Sequence, residues 1–182
     1  VMPGSVGYDN ADADNMFMQG KVAMVKAWPY LYAMAKDPEQ STVYDKFGVA
    51  VQPAGKEQHT AAWTWGFGIS SSSEKKDAAW EFIKWATSSE TLAQLGIANS
   101  NPSPRISSLE TIKNDENLTD FDKECIEVMS NALNYASNAT ENPNFPTVQN
   151  ELSYTLSDIM SRQVGVEEGL EQAEQAIKDT IE

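Results

Sequence analysis

Three of the five tryptophans in this 182-residue chain, Trp28, Trp63 and Trp65, stand at strand ends or beside helix-breaking residues. A flat indole can stack on the apolar C–H face of a pyranose. Taking about 80 Å² of apolar surface out of water at about 25 cal/mol/Å² contributes roughly 2 kcal/mol, as much as a hydrogen bond to a charged group. The other reading is that these rings are core, as large aromatics on one strand face usually are. Trp80 and Trp85 fall inside a helical pattern and make no such offer.

Residues that could catalyse are scarce. A nucleophile–histidine pair could use only His59, in a Gln-His-Thr loop, and the chain has no Gly-x-Ser-x-Gly turn. The single Cys125 lies on a helix-spaced apolar face with Ile126, Met129 and Leu133, the setting of a small buried hydrophobe. One histidine and one cysteine cannot build a zinc cluster or an internal disulfide, so no metal or other cofactor is expected. Gly66 and Gly68 lack the third glycine of a dinucleotide fingerprint and a P-loop lysine. Asn10, Asp12 and Asp14 are spaced like a calcium loop, but Asn15 and Lys21 occupy the positions that loop gives to glycine and glutamate. These acids read instead as a helix N-terminus, together with Asp9. A glycosidase needs two carboxylates across a sugar; the predicted strands carry none, and acids such as Glu167, Glu168, Glu171 and Glu174 line a helix exterior.

The elements that must position the tryptophans follow from periodicity. The segment from Asp9 to Gly20 reads as a short helix, Val22 to Val25 as a buried strand running into Trp28-Pro29, Tyr30 to Ala35 as a helix, and Phe47 to Val51 as a second strand. In the segment from Ala61 to Ser70 the odd positions are large and apolar, while Thr64, Gly66 and Gly68 leave the other face bare for close approach. Ala78, Ala79, Phe82, Ile83 and Ala86 mark a helix, and Ser88 restarts a shorter one that Gly96 ends. Two prolines make 97–108 a loop that displays Arg105 on irregular backbone. Helices follow over Asp122 to Ala136, Thr147 to Gln163 and Val166 to Ile181. Mixed strands and helices followed by helices alone argue an α/β domain with a helical tail.

Composition narrows the partners. With 27 acidic against 13 basic residues the net charge is −14, which repels phosphate backbones and anionic membrane surfaces, so nucleic acid is not expected. No run of about 18 apolar residues occurs, and Val1-Met2-Pro3-Gly4-Ser5 lacks the basic start of a signal peptide; a secreted protein would show this as a mature or truncated chain.

The order and spacing of several pieces carry a resemblance. Phe17-Met18-Gln19-Gly20-Lys21-Val22-Ala23-Met24, Trp28, Phe47 to Pro53, Trp65-Gly66-Phe67-Gly68-Ile69-Ser70 and Ala78 to Trp85, continued by Pro102 to Ser107, Pro143 to Pro146 and Val166 to Leu170, resemble the family 1 extracellular solute-binding proteins. The likeness implies a periplasmic-binding-protein-like (type II) α/β fold, of which this chain matches the C-terminal lobe with a helix-rich tail. Residues 1–65 and 115–182 would form that second lobe and 66–114 would cross into the first. It further implies a small-molecule ligand, a carbohydrate, held in an interlobe cleft without catalysis. The implied partner is the membrane permease of an ABC importer, and the implied location is extracellular or periplasmic, with the full-length protein anchored as a lipoprotein. By that likeness Trp28 is a sugar-stacking ring, with Tyr30 beside it. Trp63, Thr64 and Trp65 sit in the crossing segment next to the cleft, and Glu151 and Arg105 are candidates for hydroxyl contacts. Leu152 stands where maltose binders place a stacking tryptophan, which argues against long maltodextrins. Two alternatives remain open: a carbohydrate-active enzyme fragment, and an interaction module docking through its helical tail. Apolar surface left by an absent lobe would also allow self-association.

Overall fold

The computed structural model describes residues 4–63, 65–137 and 143–181. Eight helices dominate these residues: α1 (Asn10–Met18), α2 (Tyr30–Ala35), α3 (Lys76–Ala86), α4 (Ser89–Asn99), α5 (Ile106–Lys113), α6 (Asp120–Ala132), α7 (Phe145–Met160) and α8 (Val166–Ile181). Two strands of two residues each, β1 (Thr60–Ala61) and β2 (Ala136–Ser137), make one small sheet. The chain divides into two compact units, Asp12–Ala136 and Val1–Ala11 with Ser137–Glu182.

In the first of these units two apolar clusters hold the helices. Ala93, Ile112, Leu118 and Ile126 join α4, α5 and α6, with Ile97, Leu109 and Met129 packed around them. Met18, Leu31 and Ala35 join α1 to α2, with Phe17, Val25, Met34 and Phe47 against them. Four rings extend this second cluster toward α6. Phe47 lies 6.2 Å from Phe17, 5.7 Å from Tyr32 and 6.0 Å from Phe121, in edge or tilted geometries that suit the ring quadrupole. Cys125 is buried, as its apolar face predicts, and burial pushes its thiol pKa up, against the thiolate.

The ends of the elements show why the sequence folds this way. The Gly20 N–H donates to the Phe17 carbonyl at 2.8 Å and that of Lys21 to the Met16 carbonyl at 2.9 Å, closing α1 with Gly20 at φ +68°. Thr119 and Asp122 cap α6 reciprocally. Helix α4 runs three residues past Gly96, which serves packing instead of termination: a Cβ there would lie 2.3 Å from Ile112 Cδ1. The left-handed Ser100, at φ 47°, ends that helix.

Two predicted strands are not formed. From Phe47 to Val51 burial does alternate with the period of two, and Val22 and Val25 are half-buried, yet neither segment pairs with a neighbour among the described residues. A strand is completed by its partner's hydrogen bonds, and a half-buried alternating run without one stays irregular. The odd-position apolar face predicted beyond Ala61 is not buried either, since Trp63, Trp65 and Phe67 are all exposed. Helix α5 forms inside and beyond the stretch read as a loop.

In the other unit, α7 and α8 pack closely where Gly169 meets Ile159 and Val164, and a Cβ at Gly169 would come within 2.9 Å of Ile159. Ala173 is buried there.

Candidate functional site

The best-defined candidate surface is the entry to α2. Pro29 caps the helix at φ −53°, a value its ring already imposes. The Trp28 carbonyl accepts the Leu31 N–H at 3.1 Å and the Pro29 carbonyl accepts that of Tyr32 at 3.1 Å, so the backbone carrying Trp28 is fixed. Leu31, Tyr32 and Ala35 are buried and anchor the helix, whereas Trp28 and Tyr30, on either side of Pro29, remain 40% and 44% exposed. Trp28 is therefore a partly exposed ring on a fixed turn, and the core role is taken by Tyr32 with the half-buried Phe17 and Phe47.

Tyr30 has a partner that sequence gave no hint of. Its hydroxyl donates to Asp14 Oδ2 at 2.5 Å, across sixteen positions of sequence. Asp14 is buried at the middle of α1, not at the helix N-terminus where the acid cluster suggested it.

The remaining predicted residues are spread over other elements. Trp63 and Trp65, beyond β1, are 48% and 97% exposed; Thr64 between them lies outside the described residues. Arg105 caps the start of α5 and is exposed, on irregular backbone as expected. Glu151 is half-buried on α7, in the other unit. Leu152, also on α7, is 37% exposed. A hollow of ≈ 110 Å³ lies between the end of α4 and the loop after it, lined by Leu92, Leu95, Gly96, Asn99 and Asn101 to Pro104. None of the predicted site residues lines it.

A second polar centre, which the sequence reading missed, is buried and structural. Asp122 accepts from Tyr32 Oη at 2.8 Å and Lys36 Nζ at 2.6 Å through one oxygen, and from the Thr119 amide and hydroxyl through the other. Lys36 also reaches Ser100 at 2.7 Å. Burial pushes the Asp122 pKa up, but the bonds from Lys36, Thr119 and Tyr32 outweigh it and hold the carboxyl well below the usual carboxylate range. The same burial and the Asp122 charge push the Tyr32 phenol far above its ordinary value. Thr119-x-x-Asp122 before an apolar run was a legible capping signal; the long-range donors were not.

His59 faces Glu57 at 3.2 Å with both side chains exposed. Among the described residues no three of His, Cys, Asp and Glu gather as a metal site, and no helix is long and apolar enough to cross a membrane.

The comparisons with known proteins decide the family. The model of the bacterial extracellular solute-binding proteins matches residues 1–93, just over half of the chain. The chain belongs to this family. Among curated relatives, a probable amino-acid ABC transporter periplasmic-binding protein of Sinorhizobium fredii is 30% identical over 108 residues, 59% of this chain and 24% of that protein. A probable ABC transporter-binding protein of Deinococcus radiodurans is 27% identical over 128 residues, 69% of this chain and 30% of that protein. Two solved structures share the fold at 24% identity. The maltose-bound MalE3 of T. maritima superposes with a TM-score of 0.73 over 95% of this chain and 44% of its own. An ABC transporter solute-binding protein of Agrobacterium radiobacter K84, in complex with ribitol, gives 0.78 over 98% of this chain and 45% of its own. The fold of this chain is thus the type II periplasmic-binding-protein fold. The chain spans a quarter to under a half of the relatives it matches.

Proposed function

We propose that this chain is the ligand-stacking part of a solute-binding component of an ABC importer, working outside the cytoplasmic membrane and delivering a carbohydrate to a membrane permease. The observation that carries the reading is Trp28: a large ring left 40% exposed on a backbone locked by two turn hydrogen bonds, next to a half-exposed tyrosine. An aromatic that is already ordered loses little freedom when a sugar stacks on it, so most of the roughly 2 kcal/mol of burial appears as affinity. The family's non-catalytic character agrees with the absence of a nucleophile–base pair in the sequence. Sugar-type ligands in the two solved neighbours support the class.

In the same reading, residues 1–65 and 115–182 belong to the second lobe and 66–114 cross into the first. Trp63, Thr64 and Trp65 lie beside the ligand, and Arg105 and Glu151 contribute polar contacts. Lipid anchoring of the full-length protein belongs to this reading as well.

One observation favours a second solute class, an amino acid: the Sinorhizobium relative is named for amino-acid transport. An amino acid needs a cation for its carboxylate and an anion for its ammonium, whereas a sugar needs a ring face and hydroxyl partners. Calorimetric titration of the full-length protein with maltose, ribitol and a set of amino acids tests the choice. Heat of binding with a saccharide or polyol that weakens on Trp28→Ala supports the sugar reading; binding confined to amino acids overturns it.

A further inference from the structure

We draw no further inference here: the strongest candidate, the exposed aromatic face that Phe67 forms with Phe82 and Trp85 of α3, carries nothing because nothing in the structure shows what covers it.

Discussion

At the scale of single residues, the aromatics divide by what surrounds them. Phe17, Tyr32 and Phe47 interlock, with Phe121 at the exposed edge of the group, while Trp28 and Trp65 reach solvent. Replacing Trp28 by alanine should weaken sugar binding by about 2 kcal/mol, roughly 30-fold in Kd, and should also cost about 2–3 kcal/mol of stability, because more than half of the residue is covered by the protein. Asp122→Asn should cost about 3 kcal/mol of stability in urea denaturation at neutral pH, since Lys36, Tyr32 and Thr119 lose their charged acceptor. Its folded pKa is depressed, so that stability is complete above the ordinary carboxylate pKa of about 4 and is lost as pH falls toward the lower folded value. The difference between wild type and Asp122→Asn should therefore shrink between pH 5 and pH 3; a constant difference across that range would show that the charge is not what stabilises.

At the scale of elements, two packing glycines carry much of the geometry. Gly96→Ala should destabilise by about 1–3 kcal/mol, despite alanine's better helix propensity, because its Cβ would meet Ile112 Cδ1 at 2.3 Å and the Asn101 carbonyl at 3.0 Å. A melting temperature at or above that of the wild type would show that Ile112 yields freely. How much was legible follows the same lines. Helices announce themselves through local period and caps, so α2 and α8 match their predicted bounds and α3 and α7 differ by a few residues. The strands Val22 to Val25 and Phe47 to Val51 carried the right pattern, but a strand depends on a partner far away in sequence, and local pattern cannot supply one. Gly96 misled for a related reason: a glycine that lets two helices approach looks, in sequence, like one that ends a helix. Of the candidate surface, Trp28 was readable from its place between a strand-like run and Pro29, whereas the tie from Tyr30 to Asp14 spans sixteen positions and leaves no periodic trace.

At the scale of the whole molecule, the chain has the family's type II fold, and in the proposed reading affinity comes from a ring carried on a backbone turn that hydrogen bonds hold. The net charge of −14 sets which solutes approach that surface: neutral polyols are unaffected, and anions are repelled at low ionic strength. Binding of a neutral sugar should accordingly keep its Kd within about twofold between low and high salt, a result that titration at two ionic strengths reads directly. The measurement that bears most directly on the account is calorimetric titration of the full-length protein and its Trp28→Ala variant with maltose and ribitol. Saturable binding that falls roughly 30-fold in the variant is the predicted result. Equal affinity in the two proteins, or binding of amino acids alone, would contradict it.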